Sequence, residues 1–404
     1  MKKRISGAGC CLLDYLYRDC SFDSDTFIKY CSLKAGDGGL IPGNLVFAED
    51  LAVFAGKDED SILHELTSGA VPDAVNLGGP GIVPMVHAAQ LLKDWNCSFY
   101  GVINHSDDFN FLKSFIEKFS LSYKGIESEG AHPSSSVLSD PSYNNSAGER
   151  TFINRLGAAA AFNPELLNED FFSSDIVLWG GTALVPPLHD VLGSLCRDVH
   201  ERGGLNIVGT VYDFKNESAA PDKPWPLGNS DEPAYPFIDL LICDYEEALR
   251  LSGEDNLESV LDFFIKSGIR ACIITRGNED VLLFAENSPV FESCSLYSLP
   301  VSPFVDLDLK KHPDNRGDTT GCGDNFMGGV LVSIARQLET SRSIDLQKAA
   351  VEGIAAGGLA LYTMGGCFNE IYPGEKEERL STIREDYIKN TLPGINTSPE
   401  GESE

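Results

Sequence analysis

From about residue 70 onward, short runs of apolar residues alternate with longer segments whose apolar positions recur at helical spacing. The runs "CSFYGVIN", "DIVLWG", "LNIVGTVYDF", "IDLLIC" and "ACIITR" are too short for helices and predict strands buried on both faces. Between them, "IVPMVHAAQLLKDW", "DFNFLKSFIEKF", "PLHDVLGSLCRDVHERG", "DYEEALRLSG" and "NLESVLDFFIKSG" predict amphipathic helices. Two more, "FMGGVLVSIARQLE" and "DLQKAAVEGIAAGGLALYTMG", close the pattern. Alternating strand and helix predicts an α/β fold in which a mostly parallel sheet is covered by helices on both faces. The opening "MKKRISGAGCCLLDYLY" carries three basic residues, but glycines and Asp14 interrupt its apolar part, so it predicts a buried first strand rather than a leader.

Two regions break the alternation. Residues 15–70 contain "SLKAGDGGLIPGNLVFAED", and in residues 131–162 "SSSVLSD" and "ERTFINR" flank the turn-rich "PSYNNSAG". Both predict short strands joined by turns, hence a small sheet projecting from the main body. The expected organisation is a large α/β domain of residues 1–14 and 71–390, a small β-rich lid of residues 15–70 and 131–162, and a disordered acidic tail, 391–404. No period of a repeat architecture is present.

Composition narrows the partners. Among 404 residues, 61 acidic against 31 basic side chains leave a net charge of -30, which repels nucleic acid from most of the surface. Any phosphate site must then be local. No apolar run is long enough to span a bilayer, so no membrane is expected as a partner. Eleven scattered cysteines, with no C-x-x-C pair, fit reduced thiols in the cytoplasm better than a disulfide framework or a zinc site.

The densest chemistry lies at "GDTTGCGDNFMGG", Gly317 to Gly329, just before a predicted helix. Glycines there let several main-chain amides point at one spot, and the positive end of the helix dipole adds to them, so the spot suits an anion. Such a turn can also be only a turn, with Asp318 or Asp324 as a cap. An aspartate inside an anion site costs electrostatic energy, however, and phosphoryl transfer supplies a reason for it: a base aimed at the attacking hydroxyl.

"DTTGCGD" resembles the C-terminal signature D-T-x-G-A-G-D of the ribokinase or PfkB family of sugar and nucleoside kinases, with Cys322 in the place of alanine. The resemblance implies a ribokinase-like three-layer αβα sandwich with a mostly parallel central sheet and a small β-sheet lid. It makes Asp324 the catalytic base and the amides of Gly321, Cys322 and Gly323 the anion hole. Other segments follow in the family's order. "GAGCCLLDYLY" is similar to the first strand, whose aspartate, here Asp14, binds sugar hydroxyls. "NLGGPGIVPMVHAAQLL" is similar to the first glycine signature, with Gly78 and Gly79 matching and Val83 or Pro84 standing where an asparagine is usual.

In "CSFYGVINHSDDFNFLKSF", Asp107 and Asp108 occupy a turn and read as helix caps. "NNSAGERTFINR" resembles the lid hairpin, whose Arg155 is within reach of a phosphate or is simply solvated. "IDLLICDYEEALRLSG" resembles the N-x-x-E segment, with Asp244 in the asparagine place and Glu247 acting on the nucleotide's magnesium through water. "ACIITRGNEDVLLF" resembles T-x-G-x-x-G, with Thr275 and Gly277 near the nucleotide phosphates and Asp280 in place of the second glycine. Asp318 and the loop from Pro303 to Asp306 fall where the family holds a monovalent cation. "FIKYCSLKAGD" and "FAED" look like the lid of the adenosine kinase branch.

The function so implied is transfer of the γ-phosphate of ATP, with Mg2+ and a further potassium ion, to a hydroxymethyl group of a sugar. A nucleoside acceptor and a catalytically idle sugar- or nucleotide-binding module of the same fold stand as alternatives, and monomer and homodimer are both compatible. A nicotinamide-dependent oxidoreductase, suggested by "GAGCCL", lacks the third glycine of its motif, and no G-x-x-x-x-G-K-[ST] supports a P-loop enzyme.

Overall fold

The computed structural model describes residues 2–34, 36–146, 148–229 and 231–392; all but the first two residues of the expected tail lie outside the described residues. The larger of its sheets has nine strands in the order Cys294–Leu299, Val281–Ala285, Ala271–Thr275, Leu240–Asp244, Leu205–Gly209, Ile176–Gly180, Arg4–Gly9, Asn96–Ile103 and Leu121–Glu127. All pairs from Ala271–Thr275 to Leu121–Glu127 are parallel, and the first two strands form an antiparallel edge.

The continuous apolar runs are explained by burial on both faces. Along Ile176–Gly180, Ile176 and Leu178 enter one core while Val177 and Trp179 enter the other. The first core lies under helices Ile82–Leu91, Asp107–Ile116, Cys322–Thr340 and Leu346–Ala360, and the second under Leu192–Glu201, Tyr245–Ser252 and Leu257–Ser267. The result is three layers, helix on sheet on helix.

A second sheet of five strands runs in the order Leu45–Phe47, Glu149–Arg155, Ser134–Asp140, Leu12–Tyr17 and Ala74–Gly78. Tyr17, Leu138 and Ile153 on one face pack with Leu51 and Ile62 of helices Ala48–Ala55 and Glu59–Leu66. The opposite face carries Arg150, whose Nη1 donates to Thr320 Oγ1 at 2.9 Å, so it is turned toward the glycine-rich loop of the larger body.

Several expectations need correction. The single first strand is two: Arg4–Gly9 in the larger sheet and Leu12–Tyr17 in the smaller. The break falls at Gly9, whose φ of +136° and close approach to Gly180 exclude a side chain; a Cβ there would lie 2.8 Å from the Gly180 carbonyl carbon. Because a strand and not a helix follows, the dinucleotide-binding reading of "GAGCCL" has no support. Residues 15–70 hold two eight-residue helices besides a short strand, one of them capped by Asp58 accepting from the Ser61 amide. The run "LNIVGTVYDF" leaves the sheet after Gly209. "PLHDVLGSLCRDVHERG" divides into Pro186–His189 and Leu192–Glu201, and the helix after Asp345 stops at Ala360. Helix Glu375–Asn390, whose Leu380, Ile383 and Tyr387 are buried, was not expected at all.

Candidate active site

The helix Cys322–Thr340 begins at the loop that the sequence singles out. Its N-cap, Gly321, has φ +78°, and a Cβ on it would stand 2.6 Å from the Cα of Gly366, so conformation and space both require glycine. Asn325 ties this start to the turn after Ala360: its Nδ2 donates to Gly321 O at 2.9 Å and Gly366 O at 2.7 Å, while Oδ1 lies 3.1 Å from His87 Nδ1. The amides of Gly317 and Asp318 bond to Leu361 O and Thr363 O at 2.8 and 3.0 Å. The loop is therefore held from two sides.

First-turn amides have no acceptor inside a helix. The Cys322 amide is partly engaged by Thr319 O at 3.3 Å, and a Cβ placed on Gly323 would meet nothing outside its own helix within 4 Å. Asp324 stands in this same turn, and desolvation pushes its carboxyl up to about 7. A carboxylate with that affinity for a proton is suited to a general base near neutral pH.

Asp14 lies on the inner face of the small sheet, only 4% exposed. Burial raises its pKa most, the Asp324 and Asp318 charges raise it further, and Arg150 opposes them. These four groups are thus one electrostatic cluster, drawn from the small sheet and from the loop. Gly78 lies directly against the Asp14 carboxylate, and Gly79, at φ +106°, passes Cys10 with no room for a side chain. Asn76, on the same strand as Gly78, donates to Met364 O and Cys367 O at 2.6 and 3.1 Å and joins the small sheet to the turn beneath the loop.

Asp244 and Glu247 form a capping box at the start of Tyr245–Ser252. Glu247 accepts from Thr210 Oγ1 at 2.5 Å and from the Asp244 amide at 3.0 Å. Desolvation and then the Asp244 charge push the Glu247 carboxyl up to about 8, so a nearby cation would be needed to keep it ionised. Thr275 is in register with Asp244 on the next strand, and Gly277 follows at φ +63° with open space where a Cβ would stand. All four sit at the carboxyl end of the parallel strands, where open α/β sheets bind ligands.

Asp318 accepts from the Thr320 amide at 2.8 Å through Oδ1, with a longer bond of 3.4 Å from Gly365. Its Oδ2 is buried with no partner among the described residues, as are Thr363 Oγ1 and Ser302 Oγ. The Pro303–Asp306 loop is instead the first turn of helix Pro303–Lys311, and Asp306 is paired with Lys310 at 2.6 Å.

Other residues fall outside the cluster. Arg155 is half-buried on the face of the small sheet opposite Arg150, where it bonds Glu59 at 2.6 and 3.1 Å. Asp280 accepts from Ser298 Oγ at 2.6 Å and serves the turn. Ser106, not an aspartate, caps the helix Asp107–Ile116, and Asp108 accepts from Tyr15 at 2.7 Å. Val83 packs beneath Gly366, filling with methyl groups the place where an amide side chain is expected. The residue the sequence reading missed is Arg150. It is legible in "GER", five residues before Arg155 on the same strand.

The family described as pfkB family carbohydrate kinase matches residues 142–369, more than half of the chain. The chain belongs to the PfkB carbohydrate kinase family. That family consists of phosphotransferases, and the matched span includes Arg150, Asp244, Glu247, Thr275, Asp318 and Asp324. Among solved structures, adenosine kinase from Sinorhizobium meliloti is similar at a TM-score of 0.65 and 16% identity, covering 94% of this chain and 100% of that chain. Adenosine kinase from Schistosoma mansoni in complex with 2-fluoroadenosine gives 0.65 at 16% identity, covering 91% and 97%. Ribokinase from Thermotoga maritima gives 0.59 at 19% identity, covering 96% and 100%. The fold is therefore ribokinase-like, as expected, with a second, small sheet. No curated protein matches the chain. Among the described residues, no helix is long and apolar enough to cross a membrane.

Proposed function

We propose that this PfkB member is an ATP-dependent kinase that transfers the γ-phosphate to a hydroxymethyl group of a sugar. The observation that carries the reading is Asp324: a carboxylate with its pKa pushed up to about 7, in the first turn of a helix beside a loop of main-chain amides and in the same electrostatic cluster as Asp14. The acceptor's hydroxyls rest against Asp14 and the Gly78–Gly79 turn. Asp324 orients the attacking hydroxyl and takes its proton. Phosphoryl transfer proceeds with little bond formation to the nucleophile, so positioning and charge stabilisation are the protein's main work. The amides of Gly321, Cys322 and Gly323 face the transferring phosphoryl group, and Asp244, Thr275 and Gly277 line the nucleotide side.

Glu247 would hold Mg2+ through water, which fits a buried carboxyl that favours protonation when left without a cation; the ion neutralises phosphate charge when bound. The orphaned Asp318 Oδ2 fits a potassium ion beside the loop. Eleven free cysteines agree with a cytoplasmic setting. A catalytically idle binding module would have no use for an aspartate kept inside an anion site.

One observation favours a nucleoside as the second reading of the acceptor. Cys10, Leu12 and Leu184, with Phe47, Leu156 and Val211 packed against them, form a small apolar cluster, the kind of surface against which a flat base packs. The deciding experiment is ADP release from ATP and magnesium, screened over D-fructose, D-ribose, sugar acids and adenosine. A single acceptor that lifts turnover well above the water background establishes the kinase and its class; silence across the panel with ATP still bound would overturn the reading.

Arg150 carries a prediction of its own. Its guanidinium bridges lid and loop through Thr320, so it closes over the phosphates only when the lid is down. Arg150→Ala is expected to lower kcat/KM about tenfold or more, as loss of a fixed charge-stabilising donor does. Arg150→Lys restores little, because a point charge lacks the planar fork. Steady-state kinetics with varied ATP checks both.

A further inference from the structure

Helix Ile82–Leu91, which follows the Gly78–Gly79 turn, packs closely against helix Cys322–Thr340, which carries Asp324. A Cβ on Gly328 would lie 2.7 Å from His87 Cβ and 2.8 Å from its Cγ, so the second helix has a glycine where the imidazole lies against it. His87 and Asn325 are 1% and 4% exposed, and His87 Nδ1 lies 3.1 Å from Asn325 Oδ1. A buried side-chain hydrogen bond thus joins the helix behind the glycine turn to the first turn of the helix that carries the base.

The direction of that bond follows from the rest of the network. Asn325 Nδ2 donates to Gly321 O at 2.9 Å and to Gly366 O at 2.7 Å, and only the nitrogen of the amide can donate to two carbonyls. Oδ1 is therefore an acceptor, and His87 Nδ1 carries the proton between them. Burial pushes the pKa of the imidazole well below its usual value, so the ring is neutral and Nε2 is left as a bare acceptor. Nε2 is buried with no partner among the described residues. Such an atom costs stability that an apolar side chain of similar size would avoid, so an imidazole at this place is explained by its Nδ1–H rather than by packing.

We propose that His87 is a positioning residue for phosphoryl transfer: as the Nδ1–H tautomer it fixes the Asn325 amide, and through it the Gly321 and Gly366 carbonyls that set the start of the Asp324 helix against the glycine turn. The inference rests on the kinase reading for the reaction that this geometry serves. His87 acts through Asn325 and not on the reacting atoms. With the Nδ1–H in place, Asn325 Oδ1 is satisfied and Nδ2 stays on the two carbonyls. Without it, the buried Oδ1 loses its donor, and the amide flips or the helix start shifts to find another. Either change moves Asp324 relative to the attacking hydroxyl and leaves Asp14 in place, so the effect falls on kcat and not on KM.

The test compares three variants of the whole chain. His87→Asn places an amide nitrogen where Nδ1 stands, His87→Gln places one nearer Nε2, and His87→Leu fills the volume without a donor. His87→Leu and His87→Gln are expected to lose about tenfold in kcat with the acceptor that turns over, at a KM for ATP within about twofold, since misplacing a reacting group by about 1 Å costs up to about a hundredfold. His87→Asn is expected to keep kcat within about threefold of wild type, although it leaves more empty space than leucine and melts lower. A merely structural histidine gives the opposite order, with leucine the more active, and that order would overturn the proposal. A second readout needs no turnover: hydrogen exchange of segment 317–329, read by mass spectrometry, should quicken in His87→Leu and stay near wild type in His87→Asn. NMR of wild type labelled with nitrogen-15 at its seven histidines should show a neutral Nδ1–H ring for the signal that the variants lose, and an Nε2–H ring would overturn the proposal. Exchange that follows the donor in a chain that never turns over ATP would leave the pair standing and remove the kinase reading. Turnover with equal kcat in wild type and all three variants would keep the kinase and overturn the proposal.

Discussion

Asp324→Asn is expected to fold, to bind ATP with unchanged affinity, and to lose about a thousandfold in kcat, the range set by removal of a positioned general base. The amide occupies the same space and keeps the helix start intact, so the loss falls on proton acceptance alone. Unchanged turnover in this variant would remove the proposed base. A pH profile separates the role further. With the carboxyl pushed up to about 7 by burial, kcat/KM of the wild type should rise with pH, reach half its plateau near 7 and level off above. The residual activity of the asparagine variant should lack that limb.

The same shift has a consequence for stability, opposite in sign to the activity. The folded carboxyl holds its proton more tightly than an unfolded aspartate, whose ordinary value is 3.8, so the folded chain binds more protons between about 4 and 7. Its stabilising contribution is complete below the unfolded value and is lost as pH rises through about 7. At pH 8 the wild type therefore carries a buried charge that Asp324→Asn does not. The variant is expected to melt higher than wild type at pH 8 and close to it at pH 5, measured by thermal unfolding at both values. A melting temperature lower in the variant at pH 8 would show that the charged form is held by partners rather than penalised by burial.

The sequence and the fold agree most where local chemistry and global packing coincide. The parallel strands were legible because burial on both faces makes each a continuous apolar run, and the loop at 318–324 because its glycines have few other uses. The lid was only half legible. Ala48–Ala55 and Glu59–Leu66 are short helices stabilised by packing Leu51 and Ile62 on the small sheet, and propensity at that length is a weak signal. The break after Gly9 was hidden because one apolar stretch feeds two sheets. Arg150 and Arg155 show the same limit at the site. They are five residues apart on one strand and so point to opposite faces, but which face meets the loop depends on a register set by distant strands.

Gly78→Ala is the second large effect, and it separates holding an acceptor from holding the fold. A Cβ on Gly78 would stand 2.5 Å from Asp14 Cγ and 2.7 Å from Oδ1, inside the carboxylate. Gly78 ends a strand and has no positive φ, so its backbone tolerates alanine. The conflict is with the end of a side chain, and Asp14 relieves it by turning away. Stability should then change little, whereas the carboxylate leaves the place from which it holds hydroxyls. The expected result is a rise of about a hundredfold in KM for the acceptor, consistent with two charge-assisted hydrogen bonds lost, and a KM for ATP within twofold of wild type. Asp14→Ala should reproduce that split, and the double variant should be no worse than Asp14→Ala alone, since both remove one interaction. If ATP and acceptor weaken together in Gly78→Ala, the glycine maintains the sheet edge rather than the acceptor pocket, and Asp14 reverts to a structural residue of the lid.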